Sequence, residues 1–374
     1  MSRTPLAAPV NFLTVILLSL HLIPAVLSTP KTIPSDSSNL DAWIANNIKE
    51  YQQRKRDIAK AGGATLDPAL VTAEDGVRII KVRKDGTGDF KTVTDAVKSI
   101  PSGNKRRTIV WIGGGKYHEK ITVDQSKPFV TFYGSPLDVP MIEYGGTAAK
   151  YGTVNSATVA VESDYFVAAN VAFVNSAPKP DGKRAGAQAV AMRISGEKAA
   201  FYNCKFIGFQ DTLCDDRGRH FFKDCFIQGT VDFIFGDGKS LYLNTKIHSI
   251  ADDQGVITAQ ARENVSDVSG FTFVYCNITG TGNTYLGRAW KERPRVVFAF
   301  TYMGTLINNE GWSNNMHPER DQTVYYGEYK CKGPGSSPSR RVKYAKILTD
   351  AEARAFLSMT YIHGNKWLLP PPKL

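Results

Sequence analysis

The chain has 374 residues, with 46 Lys and Arg against 35 Asp and Glu, which gives a formal net charge of +11. This length allows one large or two ordinary domains, with a hydrophobic core that does not depend on disulfide bonds. With 32 Gly, 19 Pro and 22% charged residues, the composition excludes a disordered chain, a collagen and a small disulfide-rich scaffold. Five cysteines leave at least one thiol unpaired within the chain.

Residues 1–28 have the features of a secretory signal peptide. Arg3 is their only charged residue, and the apolar run after it is interrupted by His21 and Pro24. The uninterrupted stretches are shorter than the about 20 residues that a membrane-spanning helix needs. Small side chains near Ser28 suit cleavage there. We therefore expect export without a membrane anchor.

The basic charge of an exported protein favours an acidic polysaccharide as its partner. The sequence contains no RNP, zinc-finger or basic-zipper pattern, so no nucleic acid is expected as a partner. Two Asn-X-Ser/Thr triplets, at Asn264 and Asn277, agree with export and are candidate glycosylation sites. Asn277 follows an apolar run, which places it where a strand ends.

Helical periodicity is confined to three short segments. The first lies between residues 38 and 58 and is expected to cover one end of the main body. The second covers residues 91–99, and the third begins at Thr349 and runs through Leu357. We expect an N-terminal extension with one helix over residues 29–75, followed by a main domain over residues 76–374.

The main domain consists largely of short β-rich runs separated by Gly, Asn and Asp turns. Many short strands without long helices indicate a sandwich, a barrel or a solenoid. The runs are RTIVWIGGG, KPFVTFYGS, ATVAVESDYFVAANVAFVNS, QAVAMRIS, AAFYNCKFIGF, RHFFKDCFIQG, TVDFIFG, SLYLNTKI, GVITAQA, GFTFVYCNITG and RVVFAF.

An internal repeat distinguishes among these folds. The shift that aligns Phe201 with Phe222 also aligns Asn203 with Asp224, Cys204 with Cys225, Gly208 with Gly229, Asp211 with Asp232, and Leu213 with Ile234. A shift shorter by a single position extends the alignment from Asp224 to Asn244 and from Ile227 to Ile247. Such coils predict an all-β fold, a right-handed parallel β-helix with short flanking helices at both ends and coils about 4.8 Å apart. A β-sandwich is the alternative, but it predicts no such register.

The register places Asp211 directly above Asp232 on the neighbouring coil. Two carboxyl groups at that distance do not ionise independently, so one pKa is expected to rise while the other stays low. Asp232 lies in an apolar run and needs a charge partner to remain ionised, and Arg288 in the run LGRAW can supply one. The alternative is that each Asp binds its own backbone in a solenoid turn. Trp290 would project from the same strand face as Arg288, either to stack on a sugar ring or to pack in the core.

Several separated motifs, in order, resemble those of plant pectinesterases (pectin methylesterases), which are carbohydrate esterases on a right-handed parallel β-helix. The resemblance extends from about residue 77 to residue 370. The matching segments are DGTGDFKTVTDAV, GKYHEKI, SATVAV, QAVAMRISG, GFQDTL, GTVDFIFG, LGRAW and WLLP.

The resemblance implies a set of catalytic roles. Asp232 would be the nucleophile that attacks the C6 carbonyl of a methyl-esterified galacturonate, and Asp211 would give its proton to the leaving methoxide and then act as base on water. Gln188 and Gln210 would stabilise the oxyanion. Arg288 would orient Asp232. No metal ion or other cofactor is required by this scheme.

The resemblance also implies a substrate groove lined by Thr158, Gln188, Arg288 and Trp290. For Thr158, a hydroxyl within a strand ladder is the competing interpretation. The implied partners are methyl-esterified homogalacturonan (pectin) and a proteinaceous pectinesterase inhibitor, and a monomer is expected. The implied function is a secreted esterase of the plant cell wall that converts pectin to pectate and methanol. The short segment before the catalytic domain is typical of forms that lack the inhibitor-like pro-region.

The chain departs from the family pattern at Ala289 and at its cysteines, of which Cys204 and Cys214 are extra by that pattern. Ala289 replaces the proline of the common LGRPW, which is expected to loosen the strand. Cys225 matches a familiar half-cystine whose usual partner position holds Thr245. Cys204 and Cys225 could then form a disulfide across neighbouring coils or an unpaired inward column.

Other enzyme classes fit less well. A polygalacturonase would also use Asp clusters, and a pectate lyase would need a calcium site, for which Asp252 and Asp253 are the nearest acidic pair. Neither accounts for two glutamines beside paired aspartates. A solenoid relative that binds the wall without catalysis is disfavoured by the intact set of site residues. No G-x-S-x-G or H-E-x-x-H motif of a serine esterase or zinc hydrolase is present.

Overall fold

The computed structural model describes residues 32–61, 66–372 and 374, so the predicted signal peptide, residues 1–28, lies outside the described residues. The helices of the described part are α1 (Leu40–Ala61), α2 (Pro68–Glu74), α3 (Val93–Lys98), α4 (Ala148–Tyr151), α5 (Asp350–Ala353) and α6 (Gly364–Trp367). None of these helices is long and apolar enough to cross a membrane.

The first two predicted helices are confirmed as α1 and α3. The third, α5, begins after a capping box at Thr349 but ends at Ala353, short of the predicted Leu357. After Ala353 the chain continues in turns, with Phe356 N–H donating to the Ala353 carbonyl at 2.9 Å, and the Leu357 carbonyl accepts a hydrogen bond from Ile33 N–H at 2.7 Å.

One sheet of 11 parallel strands forms the first face of the solenoid. In spatial order its strands are β1 (Arg78–Val82), β2 (Thr108–Ile112), β5 (Val130–Gly134), β8 (Val167–Ala169), β11 (Ala199–Tyr202), β14 (Arg219–Lys223), β17 (Lys239–Leu243), β19 (Gly270–Val274), β21 (Arg295–Ala299), β24 (Tyr325–Tyr329) and β25 (Ala345–Ile347).

The other two faces are joined where the long strands β18 and β20 pass through a corner. The second face contains β3 (Lys116–His118), β6 (Met141–Tyr144), β9 (Ala172–Asn175), β12 (Lys205–Ile207), β15 (Phe226–Gly229), the first half of β18 (Lys246–Gln260), the first half of β20 (Asn277–Arg288) and β22 (Tyr302–Met303). The third face contains β4 (Ile121–Val123), β7 (Val159–Val161), β10 (Met192–Ile194), β13 (Leu213–Asp215), β16 (Ile234–Gly236), the second halves of β18 and β20, and β23 (Trp312–Ser313).

This architecture is the predicted right-handed parallel β-helix. Phe201 pairs with Phe222 and Phe222 with Tyr242, which confirms the coil lengths given by the sequence repeat. A β-sandwich is excluded because the described strands of all three faces pair in parallel with the coil before and after them.

Stacked aromatic rings fill the interior along the first face. Phe201, Phe222, Tyr242, Phe273 and Phe298 follow one another with ring centroids 4.4–4.8 Å apart and nearly parallel planes. The strand spacing of about 4.8 Å lies within the range preferred by stacked aromatic rings. Rings at the same position on successive coils therefore pack in contact. We call these five residues the ring stack.

Helix α1 does not cover an end of the solenoid, as the sequence had indicated, but packs on the outer face of the first sheet. Trp43 and Tyr51 of α1 share an apolar cluster with Tyr202 and Phe221, whose side chains alternate with those of the ring stack. The period of two along a strand sends these residues outward, and α1 shields them from water.

The cysteines resolve the choice left open by the sequence. All five are free thiols, and Cys204 and Cys225 lie buried in the interior on neighbouring coils. The next position of the column is Thr245, whose hydroxyl accepts a hydrogen bond from Cys225 N–H at 3.4 Å. Burial raises the pKa of Cys204 to about 12, so this thiol stays protonated.

Candidate active site

The two aspartates occupy equivalent turns between the second and third faces. Asp211 lies between β12 and β13, and Asp232 between β15 and β16. Leu213 pairs with Ile234 just after these turns, and Asp211 N–H donates to the Val231 carbonyl at 3.1 Å. The predicted stacking of Asp211 on Asp232 is therefore confirmed.

The backbone of both turns is unusual. Asp211 and Asp232 have φ of 64° and 51°, in the left-handed region that Asp tolerates better than most residues. Gly229 allows the second turn to close, because a Cβ at this position would come within 2.1 Å of the Phe233 Cβ. Both turns thus present a carboxyl group from a tightly closed backbone.

Both carboxyl groups are buried, with Asp211 8% and Asp232 5% exposed. Burial, and then the charge of Asp232, raise the pKa of Asp211 well above its ordinary value of 3.8, and Arg288 opposes this rise. Burial also raises the pKa of Asp232, against the hydrogen bonds and charge of Arg288. The prediction that the second pKa stays low is wrong, since desolvation outweighs the Arg288 interaction. For Asp211, repulsion by the charge of Asp232 raises the pKa less than burial does.

Arg288, at the end of β20, holds Asp232 with two hydrogen bonds. Its Nε donates to Asp232 Oδ1 at 2.7 Å and its Nη2 donates to Oδ2. The remaining nitrogen, Nη1, donates to Asn315 Oδ1 at 3.0 Å. This paired geometry fixes the orientation of the Asp232 carboxylate and favours its ionised form.

The two glutamines lie on neighbouring coils beside the aspartates. Ala189 N–H donates to the Gln210 carbonyl at 3.2 Å, so Gln188 and Gln210 are adjacent across the coils. Both are half-buried. Neither side-chain amide has a hydrogen-bond partner among the described residues, which leaves both available to a ligand.

Trp290 lies at the surface, 49% exposed, with its ring centre 5.2 Å from Arg288 Cζ. This position favours the sugar-stacking interpretation over core packing. Ala289 does not loosen the strand. Its N–H donates to the Ser313 carbonyl at 2.8 Å, a hydrogen bond that proline cannot make, and continues the β20–β23 pairing.

Thr158 does not fit the predicted groove. Its side chain is fully buried, and the hydroxyl donates to the Val174 carbonyl at 2.8 Å, with the Tyr144 carbonyl at 3.2 Å as the alternative acceptor. A buried hydroxyl whose proton is used on a backbone carbonyl does not face a ligand in the groove. The competing interpretation, a hydroxyl within the strand ladder, describes Thr158 correctly.

Asn315 was missed by the sequence analysis. It lies in the loop after β23, on a coil whose length differs from those of the sequence repeat, so the repeat does not link it to Arg288. Its left-handed backbone, with φ of 59°, is the type of conformation in which Asn is favoured, but Asn-rich loops are common. No sequence signal could have identified this contact.

The two sequons are exposed. Asn264 lies in the loop after β18, and its Nδ2 donates to Asp267 Oδ2 at 3.2 Å. Asn277 begins β20 rather than ending a strand, because the apolar run before it belongs to β19 and a turn separates the two. Asp252, from the acidic pair weighed for a calcium site, is bound to Lys179 at 2.7 Å.

Comparison with known proteins places this geometry in a family. The family model for Pectinesterase matches residues 79–365. Pectinesterase 2 of Olea europaea is 52% identical over 352 residues, which cover 93% of this chain and 94% of that protein.

Solved structures agree with the sequence comparison. A carrot pectin methylesterase superposes with a TM-score of 0.72 at 33% identity, over 80% of this chain and 97% of the carrot chain. A pectin methylesterase solved in complex with a hexasaccharide superposes with a TM-score of 0.66 at 26% identity, over 80% of this chain and all of that one. The chain therefore belongs to the pectinesterase family and is a carboxylic ester hydrolase that removes methyl esters from pectin.

Proposed function

We propose that the chain hydrolyses these esters through an acyl-enzyme formed on Asp232. The carboxylate of Asp232 attacks the C6 carbonyl carbon of a methyl-esterified galacturonate and forms a tetrahedral oxyanion. The bond from C6 to the methoxy oxygen then breaks, and protonated Asp211 gives its proton to the leaving oxygen, so methanol departs. An anhydride between the galacturonate acyl group and Asp232 remains.

Water completes the reaction. Asp211, now a carboxylate, takes one proton from water while the hydroxide adds to the acyl carbon. The bond between that carbon and Asp232 breaks, which restores the Asp232 carboxylate and leaves Asp211 protonated. The product carboxylic acid releases its proton to solvent. The sum is one ester and one water converted to one acid and one methanol.

The single observation that carries this proposal is the asymmetric environment of the stacked aspartates. Asp232 accepts two hydrogen bonds from Arg288, which favours its ionised form. Among the described residues, no arginine binds Asp211 in this way, and burial beside Asp232 raises the pKa of Asp211. One carboxyl group therefore enters the cycle as nucleophile and the other as acid.

Gln188 and Gln210 are proposed as the oxyanion donors. Their side-chain amides are half-buried next to the carboxyl pair and carry no other hydrogen bond among the described residues. Donors held in place before the reaction stabilise a developing oxyanion without reorganising. Trp290 and Arg288 would contact the sugar of the polymer, as the exposure of the Trp290 ring supports.

The substrate proposed is methyl-esterified homogalacturonan. The net charge of +11 suits a polymer that becomes more acidic as it is de-esterified, and the hexasaccharide complex of a relative supports an oligosaccharide ligand. We further propose that the protein is a monomer and binds a proteinaceous pectinesterase inhibitor.

The proposed domain organisation is a signal peptide over residues 1–28, an extension over residues 29–75 and the catalytic β-helix over residues 76–374.

Secretion to the plant cell wall follows from the proposed signal peptide. Expression of the full chain in plant cells should yield a protein in the wall fraction whose N-terminus lies near residue 29. Retention inside the cell with Met1 intact would contradict it. Glycosylation at Asn264 and Asn277 is tested on the same material by loss of mass after glycosidase treatment.

The decisive experiment for the proposed chemistry is Asp232→Asn. It removes the nucleophile's charge without changing its shape, so methanol release from highly esterified pectin should be abolished. Asp224→Asn is a matched control, since Asp224 has a similar left-handed backbone, lies exposed in a turn away from the site, and aligns with Asn203 and Asn244 on neighbouring coils. Methanol release by a folded Asp232→Asn protein would overturn the nucleophile assignment, and shortening of the polymer would favour a polygalacturonase.

A further inference from the structure

Residues 289–292, which follow β20, carry Trp290 and are held from both sides. On one side Ala289 N–H donates to the Ser313 carbonyl at 2.8 Å. Trp290 N–H closes a tight turn onto the Arg288 carbonyl at 2.9 Å. The carbonyls of Ala289 and Trp290 need donors of their own.

Arg320 supplies those donors. Its Nη1 donates to the Ala289 carbonyl at 2.7 Å and to the Trp290 carbonyl at 3.3 Å. Its Nη2 donates to Glu292 Oε1 at 3.2 Å, so one guanidinium spans the segment from Ala289 to Glu292. The Arg320 side chain is only 12% exposed, whereas its partner Glu292 is 49% exposed. A buried planar guanidinium with fixed donors constrains backbone more tightly than an exposed flexible side chain would.

The loop that carries Arg320 also contacts the head group of Arg288. Arg320 sits on a short 3₁₀ helix, Pro318–Gln322, which follows Asn315 closely in the chain. Asn314 ties the two parts of this loop together, because its Nδ2 donates to Asp321 Oδ1 at 2.9 Å and its Oδ1 accepts from Met316 N–H at 3.1 Å. These hydrogen bonds hold the part of the loop with Asn315 against the part with Arg320, beside the active site.

We propose that Arg320 is a positioning residue for substrate binding, which holds the backbone of Trp290 so that the indole ring stays exposed beside Arg288. The inference rests on the proposed sugar contact of Trp290. The ring itself is 49% exposed, so its position depends largely on how its backbone is held. The two ends of the segment keep other anchors, because Ala289 N–H stays bound to Ser313 and the Glu292 carbonyl accepts from the Thr323 hydroxyl. Without Arg320, the carbonyls of Ala289 and Trp290 between these anchors lose their donors, so the Trp290 backbone can shift and move the ring away from Arg288.

A double-mutant cycle with Arg320→Met and Trp290→Ala tests the proposal on the full-length enzyme. Displacement of a binding group by about 1 Å can cost up to a hundredfold, so we expect kcat/KM of Arg320→Met to fall by about ten- to a hundredfold, mainly through KM. In the Trp290→Ala background the same change should have little further effect, because the group that Arg320 positions is gone. Arg320→Lys, which keeps the charge and one donor direction, should recover part of the loss.

The matched control is Arg217→Met, which removes a positive charge from a 72% exposed side chain away from the segment. It should leave KM unchanged. If Arg320→Met does not fold, the same cycle is run with Arg320→Lys. Additive effects of Arg320 and Trp290 changes, or an unchanged KM in a folded Arg320 variant, would overturn the positioning role alone. An unchanged KM in Trp290→Ala would overturn the sugar contact as well, whereas the chemistry is judged separately by Asp232→Asn.

Discussion

The ring stack and the carboxyl pair follow the same register but face different environments. In the interior, Phe222 and Tyr242 place like rings 4.4 Å apart, which is a favourable contact. In the turns between the second and third faces, the buried carboxyl groups of Asp211 and Asp232 lie on neighbouring coils, and two negative charges there are unfavourable unless one carboxyl keeps its proton. The ring stack extends over five coils. The carboxyl pair involves two coils and depends on Arg288, which lies on another coil.

Within the same solenoid, the ring stack therefore contributes to stability and the carboxyl pair to catalysis. The ring stack can be repeated because each ring adds buried apolar area. The carboxyl pair costs stability, since burial raises the pKa of both groups and penalises their ionised forms. Changes inside the stack should therefore affect folding, and changes at the pair should affect turnover.

After the complete loss of turnover expected for Asp232→Asn, the largest effect is expected for Asp211→Asn. Loss of the general acid and base should lower kcat by about 10²–10⁴-fold. The pKa of Asp211 is higher in the folded than in the unfolded chain, so its stabilising contribution is present below pH 3.8 and is lost as pH rises through the folded pKa. The amide of Asp211→Asn does not titrate, so the variant avoids this loss. Its free energy of unfolding should therefore exceed that of the wild type at neutral pH. Chemical denaturation across pH measures this, and a variant less stable than the wild type at neutral pH would contradict it.

A change in the ring stack should lower stability and leave turnover unchanged. Phe222 is fully buried, and Phe222→Ala should lower the free energy of unfolding by about 3–5 kcal/mol. The turnover of the molecules that remain folded should be unchanged. Phe222→Leu, which leaves a smaller cavity, is the control and should lose less. A large fall in kcat per folded molecule would show that the stack also shapes the site.

The glutamines should affect the transition state rather than binding. Gln188→Ala and Gln210→Ala should each lower kcat by about 10²–10³-fold with a small change in KM. Gln52→Ala, on the exposed side of α1, is a control of the same residue type. If either site variant changed KM alone, that glutamine would be assigned to ground-state binding.

The smallest expected effect is a displacement of the pH profile. Arg288 lowers the pKa of both aspartates, so its removal should raise the apparent pKa values of the coupled pair. Protonation of Asp232 then begins at higher pH, and the acidic limb of kcat/KM should move upward in Arg288→Ala and less in Arg288→Lys. Arg217→Ala should leave the limb in place. An unshifted limb in Arg288→Ala would restrict Arg288 to substrate binding.

Much of the fold and the central pair of the site could be predicted because both depend on coil length. The same repeat brings Phe201 onto Phe222 and Asp211 onto Asp232 regardless of other details. The motif around Arg288 likewise predicted its contact with Asp232. Thr158 was misplaced because the motif does not say which way a strand residue points, and the structure turns it inward.

The sequence by itself determined the solenoid, its register and the identity of the stacked carboxyl groups, since these follow from spacing along one chain. Only the tertiary structure decided which groups surround them. Asn315 and Arg320 reach Arg288 and Trp290 from a loop outside the sequence repeat, so no periodicity reveals the contacts. The pKa values of Asp211 and Asp232 were also decided there, because burial depends on every element that excludes water from the turns.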